Sequence, residues 1–354
     1  MMGLRPMNIT FTRRQPASAR QSGLTLVELM VSIALGLLVV LAATGLLLSS
    51  KSAYMSQSDG ANFQDTARYA MENIVRSVRQ AGYENWDKEE QDAPITGTPE
   101  MGANLSGVDA DTVKDDTSSP GIDSLLGTSV NGSDVLAVRF FGVNKIGAAV
   151  PDETVLNCGG FGVAAPTSQN TADQDRGWSI YYVATDAAGE PELRCRYRNE
   201  SDSTWASDAI ARGIESFQVL YGVDTDYVPS TGKGADRIPN QFLTATEINA
   251  KDDALVLVGA DAAAKALDKK RKTWWKRVSV IKVAMLVRGS ANVRTDATTT
   301  TYDLFGKDYS DANAATDTGT QIKEADLPAA TRNKGRKVFM STIQFRNQPE
   351  GSGS

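Results

Sequence analysis

The sequence predicts an α+β fold in which one long N-terminal α-helix packs on an antiparallel β-sheet. Three observations predict it. Leu29–Leu48 is a run of 20 uncharged residues dominated by Leu, Val, Ile and Ala. Beyond it, Phe63, Ala67, Ala70, Ile74 and Val78 recur at three- and four-residue steps, the apolar stripe of an amphipathic helix. Past residue 130, β-rich runs follow one another between Gly, Ser, Asp and Pro turns. A helix followed by a series of strands, without βαβ alternation, is an α+β pattern.

The helix has two parts. At about 1.5 Å per residue the uncharged run spans a bilayer core of roughly 30 Å. The second part is amphipathic, with Met71 and Val75 beside the stripe and Arg68, Glu72, Arg76 and Arg79 on the wetter side. Gly82 is a C-terminal stop signal. Unbroken from Leu24 to Ala81, the helix is about 87 Å long, with Gly36, Gly45 and Gly60 as weak points. The expected organisation is a leader over 1–23, a membrane-spanning half-helix over 24–50, an amphipathic half over 51–82 and a β-rich globular domain over 83–350. The final Gly-Ser-Gly-Ser, 351–354, resembles an appended linker.

Residues 85–132 hold no period and read as a long loop with room for short strands. Strands are expected at 135–143, 178–184, 192–198, 278–288 and 337–346, and the segment 210–221 is expected to become a strand by Phe217. The second and third of these form a hairpin, with Leu193, Cys195 and Tyr197 on one face and arginines on the other. Loops at 222–241 and 290–336 are too long for simple hairpins and read as surface features or insertions.

The helix begins in an unusual way. Arg5, Arg13, Arg14 and Arg20 give residues 1–23 a charge of +4 with no acid, and the chain as a whole is −6, so the remainder is −10. Positive charge before the apolar run keeps the leader cytoplasmic. A small residue, Gly23, precedes the run, and Glu28 sits five residues beyond it. A secretory signal has its small residue after a shorter apolar core, and a plain anchor explains neither Gly23 nor Glu28. An acid at the edge of such a run is costly without a partner. Cleavage after Gly23 would free the amine of Leu24, and a neighbouring copy could set that amine against Glu28.

The run Ser22-Gly-Leu-Thr-Leu-Val-Glu-Leu-Met-Val-Ser-Ile-Ala34 resembles the class III leader and N-terminal helix of type IV pilins and type II secretion pseudopilins. Phe217–Asp226, Trp275–Arg288 and Phe339–Asn347 resemble elements of one branch, the large minor pilins called PilW. The resemblance implies a pilin-like fold. It implies cleavage between Gly23 and Leu24 by a prepilin peptidase, N-methylation of Leu24 and an assembly role for Glu28. Leu24 departs from the Phe often found there. The implied function is a structural, non-catalytic minor pilin that helps initiate the pilus and joins its tip complex. The implied partners are other minor pilins, the major pilin, the inner-membrane assembly platform and a tip adhesin. Before assembly the chain would span the inner membrane once with a periplasmic domain; afterwards it would be extracellular, near the tip. Two other readings are a minor pseudopilin of type II secretion and a pilin-like DNA-uptake receptor.

Cys158 and Cys195 fall in the exported part, where such a pair forms a disulfide. Closing about 37 residues gives roughly 3–4 kcal/mol in the chain-entropy model. Asp224, Asp226 and Asp236 carry hard oxygens of the kind calcium takes, against the plainer reading of a solvated acidic loop and no cofactor. Lys269, Lys270, Arg271, Lys272, Trp274, Trp275, Lys276 and Arg277 form a basic run with aromatics, a pattern that suits nucleic acid. The favoured reading is the end of a helix starting at Asp261, with Trp274 or Trp275 in the core; docking of an acidic neighbour is a third. With no histidine in the chain, triad catalysis and most transition-metal sites are excluded.

Overall fold

The computed structural model describes residues 23–84, 95–226, 236–292 and 300–347. The leader, the centre of the aspartate loop and the Gly-Ser end lie outside the described residues. The chain divides into two units, Met1–Tyr54 and Met55–Ser354.

Helix α1 runs Leu26–Gln80 and continues through Gly36, Gly45 and Gly60. Every residue of its first half, up to Ser50, is exposed. The second unit then holds β1 (Leu105–Val108), β2 (Val135–Phe140), α2 (Ala172–Asp175), β3 (Gly177–Thr185), β4 (Pro191–Arg198), β5 (Trp205–Arg212) and β6 (Ile214–Val223). It continues with β7 (Gln241–Leu243), α3 (Ala245–Asp253), α4 (Ala262–Lys272), β8 (Val278–Asn292), β9 (Thr301–Asp303), α5 (Lys307–Asn313), β10 (Gln321–Lys323) and β11 (Lys334–Gln344). The α+β class expected from the sequence is the class observed.

Two antiparallel sheets carry the domain, with strand orders β1-β2-β3-β4-β5 and β11-β8-β6-β7. The helix stripe Ala67, Ala70, Ile74 and Val78 is at most 1% exposed and joins one core with both sheets. The first sheet contributes Leu136, Tyr181, Val183 and Leu193; the second contributes Phe217, Val219, Ile281, Val283 and Met285. Fully burying a side chain such as Ile74 is worth roughly 1.5–3 kcal/mol.

The segment 210–221, expected to become a strand by Phe217, belongs to two strands in different sheets, separated by Gly213. Its φ of +76° suits glycine, and a Cβ there would lie 2.7 Å from the Arg288 carbonyl oxygen. Its N–H donates to Pro191 O (2.8 Å) and its carbonyl accepts from Arg288 N (2.8 Å), so one residue stitches both sheets. The two long loops cover the sheets' outer faces. Val113, Ile122 and Leu125 pack on Val135, Ala137 and Ile180. Leu304, Ile322 and Leu327 pack on Ala284 and Leu286, with β9 and β10 forming a small hairpin. The arginine face of β4 is therefore not wet: Arg196 is fully buried and donates to Lys114 O (2.6 Å) and Ser119 O (2.8 Å).

Buried charge ties β6, β8 and β11 together. Arg336 grips Glu215 with Nε at 2.6 Å and Nη2 at 3.0 Å, and Arg288 Nη1 lies 3.3 Å from the same carboxylate. Glu215→Ala should leave buried Arg336 with the more distant Glu324 (3.8 Å) and Arg288 with Glu190 as their acids, costing about 3 kcal/mol in urea unfolding. Asp317, 4% exposed, accepts from Tyr309 Oη at 2.8 Å. Burial raises its carboxyl to about 6 against the Tyr309 hydrogen bond, and Asp109 and Glu247 push the same way. A raised acid binds its proton more tightly folded than unfolded, so this contribution is present below pH 4 and lost as pH rises to about 6. Asp317→Asn should raise the melting temperature at pH 7.5 and change it little at pH 4.

Candidate assembly site

The start of the helix is built by Thr25. Its Oγ1 accepts the Glu28 N–H (3.2 Å) and its carbonyl accepts the Leu29 N–H (3.1 Å). Thr25-x-x-Glu28 is the sequence form of a capping box, a signal the motif reading passed over. Gly23 and Leu24 precede the helix and are exposed. Glu28 lies in the first turn, where an acid complements the helix dipole. Its carboxylate makes no hydrogen bond or ion pair with any described residue. The apolar helix around it is long and apolar enough to cross a membrane.

In the second unit, polar groups on the buried helix face meet the first sheet. Tyr181 Oη bonds to Asn73 Oδ1 (2.5 Å) and Ser77 Oγ (2.7 Å), and Asn73 Nδ2 donates to Cys158 O (3.3 Å). Burial pushes the Tyr181 hydroxyl pKa up, so it stays a donor. Cys158 and Cys195 form a disulfide with Cα atoms 5.9 Å apart, at the end of the same network. Asp59, 2% exposed, ties the helix to the end of β8: Oδ1 accepts from Ser290 N (2.8 Å) and Ala291 N (3.1 Å). A Cβ on Gly289 would lie 1.8 Å from Asp59 Oδ2, so the contact needs glycine there. No sequence signal marks this pair, which is 230 residues apart.

The three aspartates expected to suit calcium do not converge as ligands. Asp224 is 2% exposed, and its carboxylate accepts from Asp226 N (3.1 Å), Asp236 N (3.1 Å) and Arg237 N (2.9 Å). Asp226 accepts from Asn240 Nδ2 (3.0 Å), and Asp236 accepts from Ile238 N (2.8 Å). Among the described residues no group of three or more acids, histidines or cysteines is placed to hold a metal ion. The lone pairs are spent on loop N–H groups.

The basic run is divided: Trp275 and Arg277 are buried, while Lys270 and Arg271 lie at the surface. Asp261 caps α4, accepting from Ala264 N (2.8 Å), and Asp252 accepts from Trp274 N (2.7 Å) and Thr273 Oγ1 (2.5 Å) just past its end. Trp275 is 8% exposed, edge-on to Tyr221 at 4.8 Å, and donates to Asn249 Oδ1 at 2.9 Å. Trp274 is half-buried, with the Lys251 ammonium 5.2 Å from its ring centroid. Each cation has a protein partner. Lys269 pairs with Asp253 (3.1 Å), Lys270 with Asp173 (3.0 Å), Arg271 with Glu100 (2.5 Å) and Lys272 with Asp268 (2.7 Å). Lys276 donates to Pro99 O (2.6 Å), and burial together with Arg176 lowers its pKa to about 8. Arg277 is buried. Asp173 gathers Arg176 (2.5 Å), Arg139 (3.2 Å) and Lys270; burial opposes them, yet Arg176 and Arg139 hold its carboxyl well below the usual range. The run therefore clamps residues 99–102 and α2 to the domain, and Trp275 offers no face for base stacking.

Residues 18–44 match the prokaryotic N-terminal methylation motif, and residues 180–347 match the family model described as Type IV Pilus-assembly protein W. Among solved structures, a type IV-like pilin from Thermus thermophilus aligns over 80% of this chain and 97% of its own, at 11% identity and a TM-score of 0.31. No curated protein matches. A methylation motif opening an apolar helix, ahead of antiparallel sheets, defines a type IV pilin-like assembly protein. Within that class it is PilW-like, with residues 180–347 matching that family's model. Its kind is structural, and its motif and helix point to membrane anchoring and pilus incorporation.

If the basic run is a clamp, Lys270→Ala with Arg271→Ala should speed amide exchange across 97–104. The cost to global stability should be about 1 kcal/mol, as befits partly exposed pairs.

Proposed function

We propose that this chain is a non-catalytic minor pilin that helps initiate type IV pilus assembly and takes a place in the tip complex. The observation that carries it is Glu28, an acid with no partner among the described residues, in the first turn of a helix whose apolar first half is exposed throughout. In lipid or a packed helix bundle that charge needs a counter-ion. A prepilin peptidase cutting after Gly23 creates one, because the new amine of Leu24, methylated or not, can reach Glu28 of an adjacent subunit. Before assembly the chain sits in the inner membrane with its second unit in the periplasm, where Cys158 and Cys195 are oxidised. It then joins other minor pilins and the major pilin on the assembly platform, leaving its exported domain to meet a tip adhesin.

Mass spectrometry of sheared filaments from the native host tests this. A peptide beginning at Leu24 is expected in the filament fraction. Glu28→Ala should preserve that cleavage while lowering filament incorporation at least tenfold. Normal incorporation of the variant would sink the pairing, and an uncut Gly23–Leu24 bond beside an active peptidase would sink the processing step. Retention of the cut chain in the membrane, beside abundant pili, would move the assignment to a pseudopilus.

A further inference from the structure

Leu255-Val-Leu-Val-Gly259 joins α3 to α4 without regular secondary structure. Exposure along it nevertheless alternates residue by residue from Leu255 to Ala260, the period of a β-strand. Leu255 and Leu257 are half-buried. Val256 is 83% exposed, the highest value of any large apolar residue among those described, and Val258 is 70% exposed.

One backbone edge of this run is already occupied. Asp268 Oδ2 accepts the Val258 N–H at 2.7 Å, and Lys272 Nζ donates to the Val256 carbonyl at 3.2 Å. The two side chains pair with each other at 2.7 Å. In an extended chain, residues two apart turn their N–H and C=O to the same side, so this pair on α4 stands where a neighbouring strand would. Gly259 fixes the approach, since a Cβ there would lie 2.6 Å from Lys265 N. The opposite edge carries the N–H and C=O of Leu257, the C=O of Leu255 and the N–H of Gly259. None of these bonds to a described residue.

We propose that Leu255–Gly259 is a docking strand whose occupant is an extended apolar strand of a neighbouring pilus subunit, added to this open edge. The proposal rests on the chain being a pilus subunit. An unpaired strand edge flanked by exposed valines is a template for strand addition and a liability if left bare. The internal segments outside the described residues, 85–94, 227–235 and 293–299, contain no alternating pair of Val, Ile, Leu or Phe to fill it. Five residues of strand are far below what a free dimer needs. They suffice for a neighbour already held alongside by its N-terminal helix, where effective concentration is high.

The test places the photo-cross-linker p-benzoylphenylalanine at Val258 of the full chain in the native host. Adducts are read by mass spectrometry in the inner-membrane fraction. The expected product joins position 258 to a strand peptide of a different processed prepilin. Val256→Asp should reduce that adduct at least tenfold, while the processed chain keeps its membrane abundance and its Cys158–Cys195 disulfide. An adduct only to the chain's own peptides, an adduct only to lipid, or no loss on Val256→Asp would each overturn the docking strand. Because the adduct is read in the membrane, it decides the question even if the unsubstituted chain never reaches filaments, a result that would instead defeat the proposed function.

Discussion

The second unit depends on one helix face serving two sheets at once. Ala67, Ala70, Ile74 and Val78 share one core with strands from both. That requirement explains why the chain changes sheet inside what looks like one strand. At Gly213 it leaves β5, turns with positive φ and enters β6 under the same core. It explains the polar groups too. Asn73 and Ser77 lie on the buried face, where an apolar residue would be ordinary, and Tyr181 satisfies both. Buried hydrogen bonds of this kind fix one register of helix on sheet, whereas apolar contacts tolerate sliding.

The sequence showed this in unequal measure. The helix stripe was legible because a 3.6-residue period held over about four turns is hard to mimic, and the observed helix ends within two residues of the expected limits. The β3–β4 hairpin was legible from Val, Tyr and Trp content flanking a short polar turn. The split at Gly213 was not, because a lone glycine in a β-rich run signals a bulge as readily as a change of sheet. β1, β9 and β10 were also hidden. They are three or four residues long, and their pairing depends on a partner strand, not on local pattern. At the candidate site, Glu28 stood out by its charge in an apolar context. The fastening of Asp59 to residues 289–291 had no local trace.

The acidic residues invite two readings, a cation site and a plain loop, for a physical reason. The domain is acidic, and a D-x-D pair in a loop invites a cation. Yet the structure uses carboxylates as acceptors for backbone N–H groups that no helix or strand satisfies. Asp109 takes the first N–H groups of α3, Asp134 takes Ala110 N and Val219 N, and Asp224 takes three loop amides. Long loops over sheet faces create many such orphan donors, and short acids reach them without burying much chain. The basic run belongs to the same economy of pairing, its cations matched to Asp173, Glu100, Asp253 and Asp268.

Against that background Glu28 differs in kind. The buried acids described in the second unit face N–H or O–H donors, an ammonium or guanidiniums, as low-dielectric surroundings require. Glu28 stands on a helix among Leu26, Val27, Leu29, Met30 and Val31, and the Thr25 cap holds the backbone of its turn while the carboxylate stays unmatched among the described residues. In water such a charge is harmless. In an apolar setting, an opposite charge brought by another chain would offset its cost. A residue that would be a defect in an isolated molecule is thus consistent with a chain built to be completed by its neighbours.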